Sequence, residues 1–164
     1  KVSLTEKTKF KVYRNIKKMV FWLSNMCHPD DKISFFNDSS HGIAPTLSEI
    51  IPYANNLGIF FDKNIISKKN FYLKHFKNSG YIKMDSPDTR LLLDVAKIGP
   101  DYLPGHSHAD TLSFEMSLFG KRFLINCGTS QYEAGEIRMK ERGTAAHNTV
   151  VINNENSIIT YWER

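Results

Sequence analysis

The fold is decided by the stretch LSFEMSLFGKRFLINC, residues 112–127. Apolar and polar residues alternate from Leu112 to Leu118, which is typical of a half-buried strand because successive side chains point to opposite faces. The dipeptide Gly120-Lys121 then predicts a tight hairpin into a second strand. This stretch therefore predicts two antiparallel neighbours in a sheet.

Further strand-like runs surround this hairpin from residue 80 onward. Residues 90–97 form a short run of the β type that ends at Gly99-Pro100. Residues 149–152 and 157–162 form two more runs, and Asn153-Asn154 between them predicts a turn. The second half of the chain therefore predicts an antiparallel sheet.

The first half predicts helices. Ser3-Leu4-Thr5-Glu6 has the spacing of a capping box ahead of an amphipathic helix that reaches about Asn25. Thr46-Leu47-Ser48-Glu49 repeats that signature, with Gly58 as the stop, and residues 67–76 predict a shorter helix. Because helices precede strands without alternation, we expect an α+β fold with a helical domain at 1–79 and a sheet domain at 80–164.

Composition and charge favour a soluble domain with an acidic partner. The chain of 164 residues carries 22 Lys and Arg against 17 Asp and Glu, a formal charge of +5, although many lysines lie on expected solvated helix faces. Two cysteines exclude a disulfide framework and leave room for one bridge. We expect neither nucleic-acid binding nor membrane insertion, since no apolar run approaches the roughly 20 residues of a membrane span.

The termini suggest a piece of a longer protein. The chain begins at Lys1 and ends in an apolar, strand-like run.

The stretch GHSHAD concentrates the best acid, base and ligand groups of the chain. If it is extended, His106, His108 and Asp110 point to one face. The expected sheet brings Asn126 and His147 beside them, and imidazole nitrogens with an oxygen donor are typical of a Zn²⁺ site. A lone histidine is more often a hydrogen-bonded structural residue, and the grouping of these histidines is what favours a metal site.

Three motifs follow one another in the second half: GHSHADTLSFE at 105–115, NCGTSQY at 126–132 and RGTAAHNTV at 142–150. In this order they resemble the heparinase II/III family, and residues 36–46 are similar to the end of that family's helical domain. The resemblance covers roughly residues 10–164. It implies the terminal helices of an (α/α) toroid followed by part of an antiparallel β-sandwich.

The resemblance also implies an activity. Members are polysaccharide lyases that cleave acidic, uronic-acid-containing glycans such as heparin, heparan sulfate or alginate by β-elimination. In that reaction the uronate carboxylate is neutralised, a base removes the C5 proton and an acid protonates the leaving oxygen. The family's catalytic tyrosine and its carboxylate-neutralising residue lie in helices that precede this chain, so we expect the chain alone to be inactive. The family implies a periplasmic or cell-envelope location.

The resemblance assigns roles to individual residues. His106 maps to the catalytic histidine at the cleft, and His108 and His147 map to zinc ligands. Asn126 stands where classical members have an aspartate, which weakens the candidate Zn²⁺ site. Asp110 either orients His108 from behind or caps a turn.

Three further residues are candidate substrate contacts. Tyr102 and Tyr132 lie near the motifs, where they can line the cleft or pack at a sheet edge. Arg142 can pair with a substrate carboxylate or sulfate, or form a local salt bridge. The loop residues Asn37, Asp38 and His41 are interpreted as ordinary turn residues.

Two other functional classes share some of these sequence features. A noncatalytic carbohydrate-binding or scaffolding β-sandwich would use its histidines for hydrogen bonds and its basic surface for an anionic glycan. A cupin-like metal oxygenase also uses a His-x-His pair. That class is disfavoured because the carboxylate expected after His108 and the glycine-rich frame are missing.

Overall fold

Helices precede an antiparallel sheet in the computed structural model, which describes residues 5–61, 71–99 and 104–158. This order confirms the predicted α+β class. The described part of the chain contains no helix of the length and apolarity that crossing a bilayer requires. The elements are α1 Glu6–Met26, α2 Leu47–Asn56, β1 Tyr72–Phe76, β2 Tyr81–Asp85, β3 Thr89–Asp94, β4 Phe114–Leu118, β5 Lys121–Leu124 and α3 Glu136–Arg142.

Both long helices begin at threonine caps. The side chain of Thr5 accepts a hydrogen bond from the Thr8 N–H and caps α1, while Ser3 lies outside the described residues. At α2 the predicted capping box is confirmed, since the Thr46 N–H donates to Glu49 Oε2 at 2.7 Å. Gly58 follows this helix with φ +77°, a conformation that glycine adopts without steric cost.

The two helices share a small apolar core with the segment between them, residues 27–46, which we call the α1–α2 loop. Val20, Cys27 and Leu47 form its buried centre. Cys27 is buried and Cys127 is exposed, and both are free thiols. The single bridge that the composition allowed is therefore not formed.

The five strands form a meander in the order β1-β2-β3-β4-β5, each antiparallel to its neighbours. The predicted hairpin between β4 and β5 is confirmed. Phe119 and Gly120 at its tip have φ +51° and +78°, as a two-residue turn with matching twist requires.

A helix is predicted at residues 67–76, and over the described residues 71–76 this prediction is wrong. Tyr72–Phe76 is strand β1, in register with β2 through the pair Tyr72↔Asp85, and the backbone ladder overrides the weak helical pattern. Residues 62–70 lie outside the described residues, and the division into domains at 79 and 80 stays a prediction.

The last two strand-like runs are only partly tested. Ile152 forms a single bridge to Glu155 across a turn in which Asn153 and Asn154 both have positive φ, as expected for a tight hairpin turn. Residues 159–164 lie outside the described residues.

The sheet buries its polar face. Glu115 and Ser117 of β4 are almost fully buried against the α1–α2 loop, whereas Phe114, Met116 and Leu118 are only partly covered on the other face. The alternation of β4 therefore predicts the strand correctly, but the hydrogen-bonding side chains form the contact with the helical part.

Candidate functional site

The segment that carries His106 and His108 is a turn. Pro104–His106 form one turn of 3-10 helix, and the residues from 107 to 113 have no regular secondary structure. The N–H of Ala109 donates to the Arg142 carbonyl at the end of α3 at 2.8 Å, which fixes the segment. The prediction that an extended backbone aligns the two rings was wrong, yet both rings contact one common partner.

That partner is the carboxylate of Asp38 in the α1–α2 loop. Its Oδ2 lies 2.8 Å from His106 Nδ1, and its Oδ1 lies 2.8 Å from His108 Nε2. Arg138 of α3 donates from Nη2 to Oδ2 at 2.8 Å and contacts Oδ1 through Nη1. Asp38 was interpreted from the sequence as a turn residue, although it lies in the segment 36–46 that carried the resemblance. It joins the helical part to the histidine segment.

The environment keeps Asp38 ionised. Burial alone would raise its pKa, but hydrogen bonds from Arg138, His108 and His106 hold the pKa below its usual value. The His106 side chain is 68% exposed, whereas that of His108 is fully buried. One carboxylate thus binds one ring that faces solvent and one that lies in the interior.

The buried ring of His108 lies beside His147. Their centroids are 5.3 Å apart. The Nδ1 atom of His108 and both ring nitrogens of His147 are buried and find no hydrogen-bond partner among the described residues. Burial lowers the pKa of both rings, and that of His147 falls to about 4. Because buried polar atoms are normally paired, these nitrogens need a further partner, and a metal ion is one that two facing imidazoles can bind.

Asn126, the third predicted ligand, is also buried here. Its Nδ2 donates to Ser113 Oγ at 3.2 Å, and its Oδ1 accepts from the N–H of Asn148, the residue after His147, at 3.0 Å. An amide oxygen has a second lone pair that a metal can use. Across residues 5–61, 71–99 and 104–158, no three His, Cys, Asp or Glu side chains form a group that could hold a metal. The candidate donors here are the two imidazoles and the Asn126 amide oxygen. These donors fit Zn²⁺, with Asn126 the weakest.

A protein-family model matches the second half of the chain. The model described as heparinase II/III-like, C-terminal, matches residues 68–164, more than half of the chain. The chain belongs to the heparinase II/III-like family.

Two curated members of this family are similar over most of the chain. Heparin-sulfate lyases from Bacteroides stercoris and Pedobacter heparinus are each 27% identical, over 169 and 162 residues. Both alignments cover 90% of the chain but only 25% and 24% of the relatives. The chain therefore spans about a quarter of the length of these relatives.

Solved structures of the family confirm the fold. The heparan sulfate lyase HepC from Pedobacter heparinus has a TM-score of 0.66 at 21% identity, over 90% of the chain and 25% of its own length. A heparinase III structure has a TM-score of 0.67 at 20% identity, over 93% and 28%. Since these alignments cover most of the chain, the helices and the sheet both belong to the heparinase II/III-like arrangement.

Arg142 is a buried structural residue of this heparinase II/III-like site. It is 2% exposed, and its Nε donates to the Ser107 carbonyl at 2.8 Å. The predicted substrate contact is wrong, because a polysaccharide cannot reach a side chain this deeply buried. Arg142 instead holds the segment that carries His106 and His108.

Of the two tyrosines predicted to contact substrate, the structure describes Tyr132 but not Tyr102. Tyr132 is 61% exposed and meets the edge of the His106 ring with a centroid distance of 6.2 Å. The guanidinium carbon of Arg138 lies 5.5 Å from the Tyr132 ring. This placement suits a wall beside His106, and the substrate role stays a prediction. Tyr102 lies outside the described residues.

Asp110 does not hold His108. Its Oδ2 accepts from the Asn37 N–H at 3.3 Å, and Asn37 Oδ1 in turn accepts from the His108 N–H at 3.3 Å. Burial raises the pKa of Asp110. The carboxylate that contacts the His108 ring is Asp38, so the predicted orienting role of Asp110 is wrong and its side chain anchors the α1–α2 loop.

A third buried histidine, His28, forms with Glu115 and Ser117 what we call the His28 cluster. His28 Nε2 lies 2.7 Å from Glu115 Oε2, and Nδ1 lies 2.6 Å from Ser117 Oγ. The other oxygen of Glu115 accepts from the backbone N–H groups of Phe35 and Asn126 at 2.8 and 2.9 Å. Sequence reasoning assigned no role to His28 or Glu115, since 87 residues separate them. The cluster ties the Asn126 backbone to the α1–α2 loop.

Proposed function

We propose that the chain is part of a polysaccharide lyase that cleaves acidic, uronic-acid-containing glycans by β-elimination. The observation that carries the proposal is the exposed ring of His106, held by Asp38 and flanked by Tyr132, where the helical part meets the sheet. Family membership supports it, as do relatives named as heparin-sulfate lyases.

The chemistry requires proton transfer at a weakly acidic carbon. Neutralising the uronate carboxylate acidifies the C5 proton, a base removes it and an acid protonates the leaving glycosidic oxygen. The Nδ1 atom of His106 faces Asp38, so its Nε2 is the ring nitrogen left for a substrate in the cleft. In this proposal the catalytic tyrosine and the carboxylate-neutralising group belong to helices outside this chain, and the chain alone is inactive.

We propose in addition that His108 Nδ1, His147 and Asn126 Oδ1 hold Zn²⁺. The unpaired buried nitrogens of the two histidines support this assignment. The ion would supply positive charge in the interior and join three chain segments, and its binding free energy would add to folding. His106 is free of this role because Asp38 takes its Nδ1 and its ring faces solvent.

The same proposal includes a periplasmic or cell-envelope location, where a polymeric acidic glycan would be available as substrate. Fractionation of cells that produce the full-length protein tests this part. Recovery in the cytosolic fraction would contradict it.

Activity is tested on a protein in which this chain is joined to the part of a heparin-sulfate lyase relative that the match does not cover. Heparin, heparan sulfate, alginate and hyaluronan are supplied in turn, and ultraviolet absorbance reports the C4–C5 double bond of the product. His106→Ala should lower kcat by about 10²–10⁴-fold, the usual contribution of a general acid or base. His75→Ala, at an exposed histidine on β1, is the matched control.

Retention of a glycan without any increase in absorbance would overturn the lyase assignment and favour a noncatalytic carbohydrate-binding module. An unchanged kcat in His106→Ala would leave the lyase activity in place but remove His106 from the reaction.

A further inference from the structure

Asp38 contacts two histidines that have separate roles in the proposed function. His106 is exposed to solvent, and His108 is buried beside His147. The Asp38 carboxylate itself is 8% exposed and lies in the α1–α2 loop, outside all three sequence motifs. A single group of the helical part therefore reaches both histidines of the sheet part.

The position of Asp38 is fixed by its neighbours on both sides. The Asn37 N–H donates to Asp110, and the Ser39 carbonyl accepts from the Thr129 N–H at 3.1 Å. Gly128 has φ +61°, and a Cβ atom there would lie 2.2 Å from the Ser39 oxygen. The backbone around Asp38 thus has little freedom to move away from the two rings.

The charge at this position determines which ring nitrogens carry hydrogen. Arg138 donates to both carboxylate oxygens of Asp38, and a guanidinium is always a charged donor. An ionised carboxylate can only accept, so each nitrogen that faces it must carry a hydrogen. His106 therefore has Nδ1–H toward Asp38, and His108 has Nε2–H toward it.

This leaves the opposite nitrogens for function. In the neutral ring of His106 the lone pair is on Nε2, which faces away from Asp38. In His108 the lone pair is on Nδ1, the buried atom that finds no partner among the described residues. A ligand histidine whose other N–H donates to a carboxylate is the usual arrangement at zinc sites.

We propose that Asp38 is a positioning residue that sets the tautomers of both His106 and His108. One carboxylate would thereby prepare the substrate-facing nitrogen of the first ring and the ligand nitrogen of the second. This inference rests on the proposed function and adds a residue from the helical part to it.

The first test is ¹⁵N NMR of the imidazole nitrogens in the 164-residue chain, without added metal and at one neutral pH. The wild-type spectrum should show His106 as the Nδ1–H tautomer and His108 as the Nε2–H tautomer. In Asp38→Asn the amide can present an N–H to one of the rings, so at least one ring should change tautomer. Asp38→Glu, which keeps the charge, should retain the wild-type pattern in at least one ring.

Asp30→Asn is the matched control. Asp30 lies in the same loop and pairs with Arg122 of β5 through contacts of 2.8 and 3.3 Å. This substitution removes a charged contact between the same loop and the same sheet without touching His106 or His108. It should leave both tautomers unchanged.

The second test is Zn²⁺ affinity measured by competition with a chelating dye. Loss of a carboxylate that holds a ligand histidine typically lowers metal affinity 10–100-fold. We expect that decrease in Asp38→Asn and no change in Asp30→Asn.

The outcomes separate this inference from the proposed function. An Nε2–H tautomer for His106 in the wild-type spectrum would overturn it even if Asp38→Asn does not fold, and so would tautomers that Asp38→Asn leaves unchanged. An equal change in Asp30→Asn would show that loop attachment, and not the Asp38 carboxylate, sets the rings. If the tautomers behave as expected but wild-type chain binds no Zn²⁺, the metal assignment fails and the positioning role stands.

Discussion

His28 and His108 are both completely buried, yet their surroundings differ. Each ring nitrogen of His28 has a partner, Glu115 on one side and Ser117 on the other. His108 has Asp38 at one nitrogen and no described partner at the other. Burial alone therefore does not distinguish a structural histidine from a candidate ligand, whereas the count of paired nitrogens does.

The difference has an energetic meaning. A buried polar atom that makes no hydrogen bond costs about 1–3 kcal/mol relative to a paired one. Both ring nitrogens of His28 are paired, so His28 avoids this cost. It should therefore stabilise the folded chain without a bound ligand, and its loss should lower the free energy of unfolding. His108 and His147 carry unpaired nitrogens, so their contribution should depend on a bound ligand.

The largest expected effect concerns His28, whose two ring nitrogens are both paired. In His28→Ala a fully buried ring is removed, and Glu115 and Ser117 each lose a buried hydrogen-bond partner, changes that together typically cost about 3–5 kcal/mol. We expect a loss of about that size in the free energy of unfolding, measured by urea denaturation. His75→Ala, at an exposed position, should change it by less than about 0.5 kcal/mol. Equal losses in both variants would remove the structural role of His28.

The second effect extends the comparison to carboxylates. Glu115 accepts from two backbone N–H groups and also contacts His28 and Arg122. Asp94 is also buried, but its side chain accepts from the Ala96 N–H at 2.8 Å. Burial raises the pKa of Asp94 to about 7. Because this folded-state pKa is above the unfolded value, the unfolded chain binds fewer protons between pH 4 and 7. The contribution to stability is full at low pH and is lost as the pH rises through about 7.

The shift of Asp94 corresponds to a free energy on the order of 3–4 kcal/mol between pH 4 and 8. Asp94→Asn should flatten this part of the profile of unfolding free energy against pH. Asp88→Asn, at an exposed aspartate in the β2–β3 turn, should preserve it. A profile of unchanged slope in Asp94→Asn would mean that another group titrates.

The third effect concerns the candidate metal ligands His108 and His147, which carry unpaired ring nitrogens. Zn²⁺ at a hundredfold excess over its Kd should raise the free energy of unfolding by about 2.7 kcal/mol if it binds only the folded chain. A chelator should reverse the increase. In His147→Leu the increase should be absent, while the metal-free stability changes little because an unpaired ring is replaced by an apolar side chain. A response to Zn²⁺ that survives this substitution would place the metal elsewhere.

The sequence predicted the parts of the structure that depend on local pattern. The β4–β5 hairpin followed from alternation and the Gly120-Lys121 turn signal, although the turn itself is centred on Phe119 and Gly120, and α2 followed from its capping box. The strand β1 could not be predicted in the same way, because its five residues become a strand only through pairing with β2.

The candidate site shows the same difference between residues that a local sequence pattern predicts and residues that meet only in the fold. His106 and His108 were predicted because they lie close in sequence, His147 was predicted because the expected sheet brings it beside them, and the resemblance assigned their separate roles. Asp38 and Arg138 were missed because 100 residues separate them and no spacing relates them. Arg142 was misjudged because the sequence does not reveal that its fork is used inside the protein.

The polar face of the sheet has a consequence for any attempt to divide this protein. A cut between residues 79 and 80 would separate β1 from β2 and take the whole α1–α2 loop with the first piece. Glu115 and His108 on the second piece would then face water in place of His28 and Asp38. A working excision or transplant of the sheet must therefore carry the residues from 27 to 41 along with it.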